Sequence, residues 1–148
     1  MFITVLKILN ENGNMKHEDK ELLLKDLCHR LLYGVKGRYN NTVMSLHMVD
    51  PFNNYRPLYC VTELGSEYIG IDEFKPYLFP LSSMTEEQRK KLFYLSGIDI
   101  IYGNFYTNNE FTLEETLSGI NWLLKNHFDI YGLIPIGLAE DATGKNIY

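Results

Sequence analysis

The spacing of the hydrophobic residues changes at Gly34, and this change constrains the fold more than any other feature of the chain. Over residues 17–32 the apolar side chains recur at helical spacing. They are Leu23, Leu24, Leu27, Cys28 and Leu31, and the opposite side carries Lys25, Asp26, His29 and Arg30. After Gly34 they recur at nearly every second position, which is typical of strands with one buried face. The change predicts a helix that docks on a sheet, which is an α+β fold.

Two hairpins are predicted after this helix. Residues 35–39 and 42–49 flank Asn40 and Asn41, and asparagine tolerates the positive φ that a two-residue turn requires. Residues 58–64 and 67–71 flank a second turn at Gly65 and Ser66. Four short antiparallel strands in succession indicate a small antiparallel β meander or an SH3-like barrel.

The segment that follows carries two prolines. Residues 74–81 include Pro76 and Pro80, and a proline has no N–H to donate to a strand ladder. We therefore expect an extended crossing segment rather than a paired strand.

Two capping patterns predict two helices in the C-terminal half. Ser83 and Glu86 have the spacing of a capping box, and a helix from there should end at Gly97. Thr112 and Glu115 repeat the spacing and open a last helix that extends to about residue 128. The fold class is thus α+β, with one N-terminal and two C-terminal helices.

The last helix has one apolar stripe and one tryptophan on the opposite side. The stripe consists of Leu113, Leu117, Ile120, Leu124 and Phe128. Trp122 projects from the polar face, so we expect it either to be covered by the apolar tail at residues 132–139 or to anchor a binding partner.

The chain has 148 residues, enough for a single domain. A turn cluster at residues 12–14 precedes Met15, so we expect residues 1–14 to be an N-terminal extension and residues 15–148 to be the α+β domain. The first residues do not have the pattern of a signal peptide, and the chain lacks an apolar run of about 18 residues. We therefore expect a cytoplasmic protein that does not enter a membrane.

No catalytic or metal-binding motif is present in the sequence. Cys28 and Cys60 lie in apolar stretches without ligand spacing, and we expect both thiols to be buried. The histidines are scattered over separate elements, at His17, His29, His47 and His127. These patterns predict a protein that is not an enzyme and has neither a cofactor nor a metal site.

Basic and aromatic residues alternate on the predicted sheet. They are Lys36, Arg38, Tyr39, Tyr55, Arg56 and Tyr59. Such residues can stack a base and bind phosphate, which would suit a nucleotide or a single-stranded nucleic acid. They are also common on exposed strand faces, and the formal net charge of -5 disfavours a nucleic-acid partner.

Three segments resemble a known family. They are Tyr-Gly-Val-Lys at residues 33–36, Phe-Lys-Pro-Tyr-Leu-Phe-Pro-Leu-Ser-Ser-Met-Thr-Glu-Glu at 74–87, and Phe-Asp-Ile-Tyr-Gly-Leu-Ile-Pro-Ile-Gly-Leu-Ala at 128–139. With these motifs the chain resembles a family of small, functionally uncharacterised proteins from gut anaerobes, their prophages and their phages. The resemblance covers about residues 15–142 and implies an accessory protein of a mobile element.

Two main classes of function follow, and an enzyme whose site assembles only in the folded chain is a third alternative. The first is a non-enzymatic binding protein that docks a host or phage protein, in host modulation or counter-defence, with a homo-oligomer as a further possibility. The alternative is a small-molecule or signalling-nucleotide binding protein that acts as a sponge, or a single-stranded nucleic-acid binder. An aromatic patch on the surface would favour the first class, and a deep polar pocket with Arg, Lys and Tyr the second.

Overall fold

The change of period at Gly34 marks the boundary between a helix and a sheet in the computed structural model, which describes residues 15–148. The expected extension at residues 1–14 lies outside the described residues. The described part contains three helices, which are α1 (His17–Arg30), α2 (Glu86–Ser96) and α3 (Leu113–Lys125). Its strands are β1 (Lys36–Tyr39), β2 (Thr42–Val49), β3 (Leu58–Thr62), β4 (Gly65–Ile69), β5 (Lys75–Leu78), β6 (Asp99–Ile101), β7 (Asn104–Tyr106) and β8 (Glu140–Asp141). The predicted α+β class is confirmed.

The main sheet has six strands in the order β4-β3-β2-β1-β5-β8. Strands β1 to β4 form the predicted antiparallel meander, and β5 pairs with β8 in parallel. The sheet is mixed and open, so the described residues form no closed barrel of the SH3-like kind. Strands β6 and β7 form a separate hairpin.

The expectation for residues 74–81 is wrong, because β5 is a paired strand in the middle of the sheet. Pro76 lies opposite Gly37, which is the last ladder pair between β5 and β1. One residue further on, the Tyr148 hydroxyl accepts a hydrogen bond from Lys36 N (3.0 Å) and donates one to Tyr77 O (2.8 Å). A side chain from a distant segment thus joins the two strands beyond the proline.

The second hairpin turns two residues earlier than predicted. Thr62 pairs with Gly65, so the turn consists of Glu63 and Leu64 rather than Gly65 and Ser66. The Thr62 hydroxyl accepts from Leu64 N (3.2 Å) and donates to Gly65 O (3.3 Å). This local bonding closes the tighter turn.

Helix α2 begins later than predicted. Its capping box is formed by Thr85 and Gln88, with both reciprocal bonds present at 3.2 and 3.0 Å. The Ser83 hydroxyl instead donates to Pro80 O (2.7 Å) in a short 3-10 turn that precedes the helix. Ser83–Glu86 and Thr85–Gln88 both match the capping pattern in the sequence. Because the 3-10 turn engages the Ser83 hydroxyl, Thr85 caps the helix instead.

The other helix ends agree closely with the sequence. Gly97 ends α2 with a φ of +70°, as expected for a left-handed C-terminal residue. Thr112 and Glu115 form the predicted capping box of α3. This helix ends at Lys125, a few residues before the predicted end.

The buried face of α1 differs from the predicted one. Asp26 and Arg30 were expected on the polar side, but both are fully buried and joined by two hydrogen bonds of 2.7 and 2.9 Å. Cys28 is exposed, whereas Cys60 is buried as expected. The helix is therefore rotated, because the ion pair satisfies both polar groups inside the protein.

Two hydrophobic clusters result. The first joins α1 to the inner face of the main sheet and includes Leu23, Leu27, Met44, Leu46, Leu58, Ile69, Phe74 and Leu78. Leu133 and Leu138 of the tail also belong to it. The second is small and lies between α2, β6 and α3; it consists of Leu92, Ile98, Ile100, Leu123 and Phe128.

Candidate functional site

Nine exposed hydrophobic side chains are concentrated on α2, the β6–β7 hairpin and α3. They are Phe93, Tyr94, Leu95, Ile101, Tyr102, Phe105, Tyr106, Leu113 and Leu117, and we call them the aromatic surface. Each has at least 40% of its area exposed, and Tyr94 and Tyr102 have 89% and 100%. Isolated exposed hydrophobic residues are ordinary, but nine from one unit of the fold are not.

A close helix crossing underlies this surface. The Cα of Gly119 on α3 lies so near Ser96 on α2 that a Cβ there would clash with the Ser96 Oγ. The Ser96 hydroxyl donates to Leu92 O (2.7 Å) and stays buried. Because two small residues occupy the crossing, the two helix backbones approach each other closely at that point, and Leu92 and Leu123 fill the space next to it.

The predicted apolar stripe of α3 is only half covered. Leu124, near the end of the helix, is 5% exposed. Leu113 and Leu117 belong to the same stripe but are 76% and 49% exposed. The first half of α3 therefore presents its apolar side outward, and the described residues place no element over it.

An ion pair fixes the hairpin against α2. Arg89 on α2 donates to the Asp99 carboxylate of β6 at 2.9 Å. These hydrogen bonds hold the pKa of Asp99 below its usual value and raise that of Arg89. The pair orients the hairpin, so that its aromatic residues are held in a defined place beside the helices.

Charged residues of opposite sign flank the aromatic surface. Lys90 and Lys91 precede Tyr94 by about one turn of α2. Glu110 and Glu114 lie around the start of α3, next to Leu113 in the sequence. A docking partner would meet both signs of charge at the rim of the aromatic surface.

The residues predicted for nucleotide binding are spread over the main sheet. Lys36 and Arg38 are two residues apart on β1, where Lys36 Nζ donates to Ile147 O (3.1 Å) and Arg38 forms an ion pair with Glu140 (2.6 Å). Tyr39, the next residue, packs against the first hydrophobic cluster on the inner side. The two cations are thus already engaged within the protein.

The other three lie towards the opposite edge of the sheet. Tyr55 is 90% exposed in the loop before β3, and Arg56 donates weakly to Tyr68 O at 3.5 Å. Tyr59 donates to Ser66 Oγ (2.7 Å), and its ring centroid lies 4.9 Å from that of Tyr68. The structure brings Arg56 and Tyr59 together around Tyr68 but does not bring them to Lys36 and Arg38.

Trp122 does not project from the polar face of its helix. It is partly buried, packs against the second cluster and stacks on Phe128 with ring centroids 5.9 Å apart. The tail does not cover it, because Leu133 and Leu138 pack into the first cluster instead. Helix α3 ends at Lys125, before Phe128, and the chain then turns so that the Phe128 ring stacks on Trp122.

The residues that the sequence did not single out are those of the aromatic surface and His127. Two residues of the aromatic surface, Leu113 and Leu117, were predicted as part of a core stripe, and the sequence pattern provided no prediction for the other seven. His127 lines a cavity at the end of α3, described below. Among residues 15–148 no group of three or more His, Cys, Asp or Glu side chains is arranged to hold a metal ion. No helix of this part has both the length and the hydropathy needed to cross a bilayer.

Comparison of the chain with the known protein families, with curated protein sequences and with solved structures finds no match.

Proposed function

We propose that this protein is a non-enzymatic binding protein that docks another protein through the aromatic surface. The observation that carries the proposal is the exposure of nine large hydrophobic side chains on one helix–hairpin–helix unit. Tyrosine and phenylalanine dominate the energetics of protein interfaces because they bury large areas at low entropic cost.

The local scaffold supports the same conclusion. The Arg89–Asp99 ion pair and the Ser96–Gly119 crossing hold the three elements together without covering their outer side chains. A preorganised surface loses less conformational entropy on binding than a loose one. Lys90 and Glu114 at its rim would select a partner by charge.

The resemblance in the sequence implies that the partner is a host or phage protein in the bacterial cytoplasm, where binding would serve host modulation or counter-defence. The dispersion of Lys36, Arg38, Arg56 and Tyr59, with both β1 cations engaged, makes the main sheet a weaker candidate for nucleotide binding.

The test is a comparison of three surface variants in host lysate. Leu117→Glu and Tyr94→Glu place a charge within the aromatic surface, whereas Leu64→Glu places the same charge on a 99% exposed leucine in the β3–β4 turn. All three should keep the melting temperature of the wild type, because the side chains are exposed. The first two should lose a partner that the wild type and Leu64→Glu both capture.

Sedimentation of the purified chain separates a foreign partner from a second copy. A dimer that Leu117→Glu converts to a monomer would make the aromatic surface a self-association site and would contradict the proposed partner. Capture that is equal for all four proteins would show that the aromatic surface is not used for docking.

A further inference from the structure

A cavity of about 530 Å³ lies where α3 ends, between the start of α2 and the segment that carries Tyr148. Its polar lining comes from Ser83, Gln88, Lys125, His127 and Thr143, and its apolar lining includes Phe79. The side chains of the lining include one lysine and no aspartate or glutamate. In a chain with a formal net charge of -5, this is an unusually cationic concavity.

His127 has a backbone conformation that its residue type disfavours. Its φ is +63°, and it occupies the left-handed C-terminal position of a Schellman motif. The motif is complete, because Phe128 N donates to Leu123 O and His127 N donates to Leu124 O, both at 3.0 Å. Glycine is the residue that fits this position without strain, so the histidine ring is retained there at an energetic cost.

The ring of His127 is held firmly at the cavity. It stacks on Tyr148 with ring centroids 3.5 Å apart and an interplanar angle of 9°. Its Nδ1 is buried and has no hydrogen-bond partner among the described residues. A buried nitrogen without a partner is rare, and because it has almost no accessible surface, a ligand in the cavity would bond to it only after a small shift of the ring.

Two cations, Arg30 and Lys36, lie near enough to the ring to affect its protonation. The pKa of His127 is lowered to about 4, first by burial and then by the charges of Arg30 and Lys36. Arg30 is fully buried, donates to Phe128 O (2.7 Å), and its Nη1 has no partner among the described residues. Burial is the larger cause and favours no charge of either sign, whereas the charges of Arg30 and Lys36 both disfavour a proton on His127 and favour an anion beside it.

We propose that this cavity binds a small organic anion, with a phosphate or carboxylate group at Lys125 and His127 and its planar part against the rings of Tyr148 and Phe79. The volume suits a ligand of the size of a nucleoside monophosphate. This site is separate from the aromatic surface, and its lining includes none of the predicted cations Lys36, Arg38 and Arg56.

The experiment follows the His127 ring and the Thr143 amide by NMR during titration of the full chain. The probes are AMP, inorganic phosphate and adenosine, each up to about 10 mM. AMP and phosphate should cause saturable shifts of both signals. Adenosine should bind at least about tenfold more weakly than AMP, because it lacks the charged group.

Matched variants assign the site. Lys125→Gln should weaken AMP binding about tenfold, whereas Lys91→Gln, the same charge change on exposed α2, should leave it within about twofold. His127→Gly should keep the fold, because glycine suits its φ, and should also weaken AMP binding.

Three results would overturn the proposal. The first is the absence of saturable shifts with both AMP and phosphate. The second is equal binding of AMP and adenosine, which would remove the requirement for an anion. The third is an equal loss of AMP affinity in Lys125→Gln and Lys91→Gln, which would show that AMP is attracted only by the overall charge of the protein.

Discussion

The two hydrophobic clusters differ in how completely the apolar side chains around them are covered. In the first, α1 and the tail cover the inner face of the sheet so fully that Leu23, Leu27 and Leu58 have no exposed area. In the second, five buried residues hold together a unit that leaves nine others exposed. The first cluster is therefore closed to solvent, whereas the second lies under a unit with many exposed hydrophobic side chains.

The two regions are coupled at Phe79 and Phe128. Phe79 N donates to His127 O, and Asp129 N donates to Phe79 O, both at 2.8 Å. Arg30 of α1 reaches the same place through its bond to Phe128 O. Substitutions can therefore show whether the regions unfold together or separately.

The largest effect is expected at Arg30. Arg30→Met leaves the Asp26 carboxylate buried without its partner and removes the bond to Phe128 O, so it should lower the free energy of unfolding by about 4 kcal/mol. Burial already raises the pKa of Asp26 despite the bonds from Arg30. Urea denaturation provides the measurement.

The control for this prediction is the double variant Asp26→Leu with Arg30→Met, which removes both charges. It should recover most of the lost stability, because an apolar pair needs no partner. A double variant as unstable as the single one would show that the bond to Phe128 O, not the unpaired charge, dominates.

The apolar stripe of α3 gives the next effect. Leu124→Ala should cost about 3 kcal/mol, because the side chain is 5% exposed. Leu113→Ala, the same change on the same stripe, should cost less than about 0.5 kcal/mol, because that side chain is 76% exposed. Equal losses in thermal unfolding would mean that the first half of α3 is covered in solution.

A smaller loss is expected at Trp122. Trp122→Ala removes a partly buried ring that stacks on Phe128 and should cost about 2 kcal/mol. Tyr102→Ala, which removes a fully exposed ring from the hairpin, should leave the melting temperature unchanged. If instead Trp122→Ala melts like the wild type, the stack does not hold the second cluster together.

The smallest effect is a pH dependence due to His127. Its pKa in the folded protein is about 4, against an ordinary value of 6.5. As the pH falls through 6.5 towards 4, the unfolded chain takes up a proton that the folded chain does not, so the stability decreases. Since the ring is only partly buried, we expect the free energy of unfolding to fall by about 1 kcal/mol over this pH range. The measurement is the pH dependence of unfolding of the wild type minus that of His127→Gly. Identical pH profiles for the two proteins would contradict the lowered pKa.

The sequence predicted those elements whose signals are local. The Asn40-Asn41 turn, the Thr112 cap and the Gly97 end depend on one or two residues and their neighbours, and all three are confirmed. The pairing of β5 could not be predicted, because the group that assists it comes from Tyr148. Local patterns carry no information on such distant contacts.

The sequence did not predict the aromatic surface, for a related physical reason. Helical spacing shows which side chains share a side, but it does not show how far along the helix a covering element extends. Leu113 and Leu124 are therefore indistinguishable in the sequence, and only the tertiary structure separates them. Likewise, Asp26 and Arg30 are buried because they pair with each other. The polarity of each residue taken alone predicts the opposite.

The hydrogen bonds of Tyr148 to β1 and β5 also indicate the order in which contacts form during folding. Its hydroxyl bonds to residues 71 and 112 positions away, whereas the β1–β2 hairpin forms from neighbours. Contacts between such distant residues form late, since the loop between them must close first. Hydrogen exchange at the Lys36 amide therefore reports the arrival of the segment that carries Tyr148, and not the formation of the strand in which Lys36 lies.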